Sequence, residues 1–216
     1  MINYFKNILA RTPEPVVEQE PTTTGPTVVW IHGANQSSLS FEYLRSKTQF
    51  EKEILVNYSS MNGFYNNLAD IIKLVNRAGP LFLVGHSMGG IYAMHLLKHC
   101  DVVGAVSIST PYRGSSAADW AKFIVPSYPL FRDVGRRSRP IVEAHGVEVT
   151  VPWTQIVSTT GSVPYLNSPN DGVVTDASMR HRNDMMFESV PHTHYEVMCS
   201  DRVASIITAR YSESVQ

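Results

Sequence analysis

The sequence predicts an α/β fold in which a mainly parallel sheet of about six strands is flanked by helices. Short apolar segments alternate with helix-like segments, and that order favours parallel strands joined by right-handed crossovers. Several of the apolar segments are continuous runs, as expected for a sheet that is covered on both faces. The predicted strands are residues 27–32, 54–58, 81–85, 102–108, 153–158 and 187–190.

The segments between these strands have helical periodicity. Residues 66–78 and 201–211 each place their apolar side chains on one stripe, which predicts helices packed against the sheet. Residues 112–150 interrupt the alternation with a stretch of Ser, Pro, Arg and aromatic residues. We expect this stretch to form a small cap insertion over the carboxyl ends of the strands, where open α/β sheets bind ligands.

The composition limits the class of protein. A chain of 216 residues with 43% apolar residues is sufficient for one globular domain with a substantial core. The net charge of −1 offers no broad positive field for nucleic acid. No apolar run approaches the roughly 18 residues of an integral membrane segment. Cys100 and Cys199 are too few for a disulfide framework, and we expect both to be buried free thiols.

The domain is predicted to occupy residues 26–216. Residues 1–25 are interpreted as an N-terminal segment and a flexible linker, because residues 12–26 are rich in Pro, Glu and Thr. The N-terminus lacks the long apolar core and cleavage site of a secretory signal, so we expect a cytoplasmic location. Its first turns have an amphipathic pattern, which leaves open a partner or membrane-surface anchor as an alternative.

The segment 81-LFLVGHSMGG-90 places a serine between a buried strand and a helix, with a glycine two residues to either side. In such a G-x-S-x-G turn the serine is strained, and the glycines let the strand and the helix approach each other. The motif alone is weak, but its strand-turn-helix context makes it specific. Ser87 is therefore the candidate nucleophile, and the N–H of Met88 is placed to face a developing oxyanion.

A nucleophilic serine also needs a second oxyanion donor, a base and an acid. His-Gly after the first strand lets the chain bend so that the N–H of Ala34 faces the serine. Asp171 lies in the turn-rich stretch after the fifth strand, where by itself it is also typical of a plain Asp-Gly turn. His192 and His194 lie in the loop before the last helix, and periodicity alone does not choose between them.

These segments resemble the α/β-hydrolase superfamily, and most of all its compact lipases and esterases, including minimal bacterial lipases and triacylglycerol lipases. The resemblance covers about residues 26–211 and rests on GHSMGG, VVWIHG, STPYRG, NDGVV and the late HYEVM segment. It implies an α/β-hydrolase fold without the first strands of the superfamily. It also implies a triad in the chain order Ser-Asp-His.

Carried over residue by residue, the resemblance assigns Ser87 as nucleophile, Asp171 as acid and His194 as base. Ala34 and Met88 then supply the oxyanion hole. His194 is preferred to His192 because the run after it matches the approach to the final helix, for which Ser200 is a suitable N-cap. The alternative acids Asp176 and Asp184 lie farther from the strand end.

The predicted function is a serine carboxylic-ester hydrolase, an esterase or lipase of lipid metabolism, that forms an acyl-enzyme. Its expected partner is a small-molecule ester or lipid, and no cofactor or metal is expected. Phe123 and Phe131 in the predicted cap are expected to line an apolar acyl site. An acyltransferase, thioesterase or amidase would use the same triad, and a ligand-binding module without turnover remains an alternative of another class.

A metal site is a weaker alternative. His95 and His99 are four residues apart in the helix after Ser87, a spacing that suits two metal ligands. His192 and His194 are a possible source of a third ligand, but no motif places one beside this pair, and we expect His95 and His99 to lie partly exposed on the helix surface. No Gly-rich phosphate loop occurs in the sequence, so nucleotide-dependent chemistry has no support.

Overall fold

The structure, a computed structural model, describes residues 25–114, 133–161, 163 and 168–215. Its centre is a six-stranded sheet in the order β2-β1-β3-β4-β5-β6, and every adjacent pair is parallel. The predicted sheet is confirmed, with small differences at the strand ends. The strands are β1 Thr27–Ile31, β2 Glu53–Val56, β3 Leu81–His86, β4 Val102–Ile108, β5 Trp153–Ser158 and β6 Met186–Val190.

Helices follow most of the strands. The second helix begins at Phe64, two residues before the predicted start, since Gly63 turns the chain with a φ of 79°. The last helix continues to Ser214, three residues beyond the predicted end. The helices that lie wholly within the described residues are α1 Glu42–Thr48, α2 Phe64–Val75, α3 Met88–Leu96, α4 Arg139–His145, α5 Asp176–Met179 and α6 Asp201–Ser214, with 3-10 turns at Ser38–Phe41 and Glu196–Cys199.

Alternate side chains of the central strands enter cores on opposite faces of the sheet. On β1, Val29 and Ile31 belong to the core formed with α2, α3 and α4. Val28 and Trp30 point to the other core, which is formed with α1 and α6. Because both faces are covered, β1, β3 and β4 are mainly apolar on both sides, which is the pattern that the sequence shows.

The stretch 112–150, predicted as a cap, contributes to the main core where the structure describes it. Ile141 and Ala144 of α4 are fully buried in the same cluster as α2 and α3. Pro140 at the start of α4 accepts a hydrogen bond at its carbonyl from His95 of α3, at 2.9 Å. This helix therefore lies in the crossover between β4 and β5. Residues 115–132 lie outside the described part.

Two expectations about side chains are wrong. His95 is buried rather than exposed, because α4 covers it, whereas His99 is exposed beyond the end of α3. Cys199 is also exposed rather than buried, while Cys100 is partly buried.

No group of three potential metal ligands occurs among the residues that the structure describes. Within the same residues, none of the helices is both long and apolar enough to span a bilayer.

The strand order defines where a ligand is expected to bind. The chain runs from β1 outward to β2 and then crosses to β3 on the other side of β1. Such a switch leaves a crevice at the carboxyl ends of the two strands. His32 and Gly33 follow β1 at this point, and Ser87 follows β3.

Candidate active site

Ser87 occupies a strained turn between β3 and α3. Its φ of 53° and ψ of −118° lie outside the regions that residues with a side chain ordinarily adopt. A Cβ on Gly85 would lie 2.6 Å from the backbone of Gly89, and one on Gly89 would lie 1.9 Å from the carbonyl oxygen of Ile31. Neither space admits a methyl group. The absence of a side chain at these two positions therefore lets α3 pack closely against β3 and β1. A non-glycine residue held at positive φ often marks a functional site.

Asp171 and His194 form a buried pair. Nδ1 of His194 lies 2.7 Å from Oδ2 of Asp171, and the exposed fractions of the two side chains are 3% and 0%. The His194 backbone N–H also donates to the carbonyl oxygen of Asp171 at 2.9 Å. Because Nδ1 is bound to the carboxylate, Nε2 is the ring nitrogen left for another partner.

The carboxylate of Asp171 is held on both oxygens. Oδ1 accepts the backbone N–H groups of Val173 and Val174 at 2.9 and 2.7 Å, and Oδ2 accepts the hydroxyl of Ser158 at 2.6 Å. Burial by itself raises the pKa of Asp171. The hydrogen bond and charge of His194, followed by the bonds from Ser158 and Val174, outweigh it and leave the pKa below its ordinary value. Asp171 is therefore an ionised carboxylate.

The loop after β1 passes directly beside Ser87. A Cβ on Gly33 would lie 3.2 Å from Cβ of Ser87, so the loop and the serine are in close contact. Gln36 holds the loop, because its Oε1 accepts the Gly33 N–H at 3.1 Å. Within the described part of the chain, neither the Ala34 nor the Met88 N–H donates a hydrogen bond.

Two further histidines, which the sequence does not single out, support the loops around Ser87. His86 is fully buried, with Nε2 3.0 Å from the carbonyl oxygen of His194 and Nδ1 3.0 Å from Oε1 of Gln36. Burial, with a smaller contribution from His194, lowers the pKa of His86 to about 3, so its ring is neutral. His32 lies 2.7 Å from the Gly33 carbonyl oxygen through Nδ1 and stacks on Tyr58 with ring centroids 4.2 Å apart.

The remaining sequence candidates occupy other positions. His192 is bonded through Nε2 to Oγ of Ser200 at 3.0 Å and does not contact Asp171. Ser200 is the N-cap residue of α6, as predicted, although its side chain makes no capping bond. Asp176 pairs with Arg180 and Asp184 pairs with Arg182, so both alternative acids are engaged elsewhere.

Comparison with known proteins agrees with this architecture. Residues 28–198 match the sequence model of the alpha/beta hydrolase family, which is more than half of the chain. The chain belongs to the alpha/beta hydrolase family. Among curated sequences it is 26% identical over 135 residues to triacylglycerol lipase 2 of Saccharomyces cerevisiae, in an alignment that covers 48% of this chain and 41% of the yeast protein. The chain thus matches less than half of the length of that relative.

Solved structures of other α/β-hydrolases share the fold at low sequence identity. The mature lipase BlEst2 of Bacillus licheniformis has a TM-score of 0.70 and 17% identity, with 89% of this chain and 94% of that chain covered. A thermophilic esterase of Thermogutta terrifontis has a TM-score of 0.59 and 16% identity, with 89% and 91% covered. Phospholipase PlaB of Legionella pneumophila has a TM-score of 0.67 and 12% identity, with 88% and 60% covered.

An apolar groove of about 640 Å³ lies between α1 and the loop that carries His194. Leu39 and Tyr195 stand at its rim with exposed fractions of 74% and 61%. The ring of Tyr195 is edge-on to that of His194, with centroids 5.3 Å apart, so the groove adjoins the Asp171–His194 pair of this α/β-hydrolase. Phe123 and Phe131, the predicted acyl-site residues, lie outside the described part of the chain.

Proposed function

We propose that this α/β-hydrolase is a serine carboxylic-ester hydrolase, an esterase or lipase that acts on a small-molecule ester or a lipid. The observation that carries the proposal is the buried 2.7 Å contact between His194 and Asp171, at the sheet edge where Ser87 is held in a strained turn. A neutral imidazole whose Nδ1–H is bound to a carboxylate presents Nε2 as a base. To hydrolyse an ester, such a base needs only a nucleophile and an oxyanion site next to it.

In the proposed reaction, Nε2 of His194 takes the hydroxyl proton of Ser87 as Oγ attacks the ester carbonyl carbon. The carbonyl oxygen becomes an oxyanion, which the N–H groups of Ala34 and Met88 stabilise. The tetrahedral intermediate collapses when His194 returns the proton to the departing alcohol oxygen, which leaves an acyl group on Ser87. Water then attacks this acyl-enzyme by the same route and releases the acid.

Asp171 has a defined role in this scheme. Its ionised carboxylate keeps the proton of His194 on Nδ1 and stabilises the ring when Nε2 becomes protonated. The depressed pKa of Asp171 supports this role, because the carboxylate keeps its charge throughout the neutral pH range. The complete set of acid, base and nucleophile favours turnover over a retired fold that binds a ligand without reaction.

The deciding experiment combines fluorophosphonate labelling with p-nitrophenyl ester hydrolysis. The wild-type protein is expected to be labelled at Ser87 and to hydrolyse short or medium-chain esters. Ser87→Ala is expected to lose labelling and about 10⁴-fold or more of the activity, as when a triad nucleophile is removed. Labelling at Ser87 without any ester turnover would favour the ligand-binding alternative. Folded wild-type protein that is not labelled would refute the enzyme proposal.

A further inference from the structure

Two buried serines extend the Asp171–His194 pair into the sheet. Ser158, the last residue of β5, lies with Oγ 2.6 Å from Oδ2 of Asp171. Oγ of Ser158 also lies 2.6 Å from Oγ of Ser109, the residue that directly follows β4. Both serines are fully buried, so no solvent competes for these hydrogen bonds. The result is a continuous chain from Ser109 through Ser158 and Asp171 to His194.

Each serine hydroxyl has a single proton, and this determines which group donates in each hydrogen bond of the series. An ionised carboxylate only accepts hydrogen bonds, so the hydroxyl of Ser158 donates to Asp171. Ser158 then has no second proton, so the hydroxyl of Ser109 donates to Ser158. Both donors point toward the carboxylate, and hydrogen bonds in such a chain polarise one another in a buried, low-dielectric site.

We infer that Ser109 and Ser158 are positioning residues of the reaction, which orient the Asp171 carboxylate and take up part of its negative charge. The inference rests on the proposed function, since it assigns Asp171 and His194 their roles in the triad. A carboxylate oxygen that accepts the Ser158 hydroxyl has less charge left to stabilise a protonated imidazole. The two serines therefore weaken the attraction of the carboxylate for a proton on the imidazole, which favours the ring form that acts as a base.

The surroundings of the pair allow this effect to be isolated. Oδ1 of Asp171 keeps the N–H groups of Val173 and Val174 when Ser158 is changed, so the carboxylate stays anchored. Among the described residues, the other titratable groups that face the pair are His86, from the end of β3, and the phenol of Tyr195. His86 stays neutral across the relevant range because burial holds its pKa at about 3.

The test is the pH dependence of kcat/KM for a p-nitrophenyl ester, whose acid limb reports protonation of the base in the free enzyme. Ser158→Ala is expected to move the acid limb upward by about half a pH unit or more, as when a hydrogen bond to a charged group is lost. Ser109→Ala, which removes only the outer hydroxyl, is expected to move it less. Ser158→Thr retains the hydroxyl and is expected to restore the wild-type limb.

Ser107→Ala is the matched control. Ser107 is another fully buried serine, on β4, but its hydroxyl is bonded to Gln155, Tyr112 and Trp153 rather than to the acid. Its loss is expected to lower Tm and leave the acid limb in place. If Ser158 has only a structural role, Ser158→Ala will likewise lower Tm without moving the acid limb.

A second readout does not depend on turnover. The ring protons and nitrogens of His194, followed by NMR over the same pH range without substrate, are expected to titrate at higher pH in Ser158→Ala than in wild type. A shifted NMR midpoint in a protein that hydrolyses no ester would refute the proposed function but retain the serine chain. An unchanged midpoint in Ser158→Ala, or an equal shift in Ser107→Ala, would overturn the inference.

Discussion

His194 and Asp171 are 23 residues apart in the chain, yet Nδ1 of one lies 2.7 Å from Oδ2 of the other. The loops after β5 and β6 carry the two residues, and parallel pairing of these strands brings both loops to one edge of the sheet. His192, only two residues before His194, turns instead to Ser200 of the α6 N-terminus. Two histidines that are two residues apart in the sequence therefore have different partners in the structure.

The first prediction follows from that separation. His194→Ala and Asp171→Ala are each expected to lower kcat/KM for a p-nitrophenyl ester by 10³-fold or more, on the order of losses seen for triad residues. His192→Ala is expected to remain within about tenfold of wild type, which is roughly 1.4 kcal/mol in the barrier. Circular dichroism and Tm establish that each variant is folded. The opposite ranking of the two histidine variants would reject His194 as the base.

The second prediction concerns the contact between α3 and β1. Gly89→Ala would place a Cβ 1.9 Å from the Ile31 carbonyl oxygen, which the rigid backbone of a central strand does not accommodate. We expect a loss of about 4 kcal/mol or more in the free energy of unfolding, together with loss of probe labelling at Ser87. Urea denaturation followed by tryptophan fluorescence measures the first quantity.

Gly146→Ala is the control for this change. Gly146 has a φ of −83°, and a Cβ there would lie no closer than 3.6 Å to the Glu143 carbonyl oxygen. The substitution is expected to change the free energy of unfolding by less than about 1 kcal/mol. Similar losses in the two variants would contradict the steric argument for Gly89.

The fold and much of the candidate site could be predicted because they depend on local patterns. Apolar runs of strand length identify all six strands, and strand-turn-helix context distinguishes Ser87 from an ordinary serine. Asp171 and His194 follow successive strands, so a parallel sheet brings them together without knowledge of side-chain packing. The assignment of their roles stays a prediction that the kinetic experiments test.

Contacts between distant segments could not be predicted in this way. The bond between His86 and the His194 carbonyl joins residues 108 apart, and no periodicity connects them. In the sequence Ser158 is an ordinary residue at the end of a strand, and its contact with Asp171 depends on the path of the loop that carries Asp171. The burial of His95 depends on α2 and α4, and the sequence does not show that these helices pack against it.

The third prediction concerns the substrate chain. Phe123→Ala or Phe131→Ala is expected to change the ratio of kcat/KM between butyrate and decanoate p-nitrophenyl esters, since each phenyl ring offers apolar contact to the longer chain. Leu39→Ala, at the rim of the groove beside Tyr195, is the comparison variant. A change in the ratio for Leu39→Ala alone would place the apolar contact in the groove and contradict the role of the two phenylalanines.

The fourth prediction is a pH-dependent stability that comes from His86. Burial lowers its pKa from 6.5 to about 3 in the folded protein. Between these values the unfolded chain binds a proton that the folded protein does not, so stability falls as the pH falls. The contribution of a neutral His86 is fully present above pH 6.5 and is lost progressively toward pH 3. One such proton changes the free energy of unfolding by about 2 kcal/mol between pH 7 and pH 5.

His86→Gln removes this titration, and its effect is read from the slope rather than from the stability at one pH. The variant is expected to be less stable at pH 7, because the buried contacts of the imidazole are altered, but to lose about 2 kcal/mol less than wild type on going to pH 5. His99→Gln is the matched control, since His99 is exposed. Urea denaturation at several pH values measures both slopes. If His86→Gln and wild type lose the same stability between pH 7 and pH 5, His86 does not remain neutral in the folded protein.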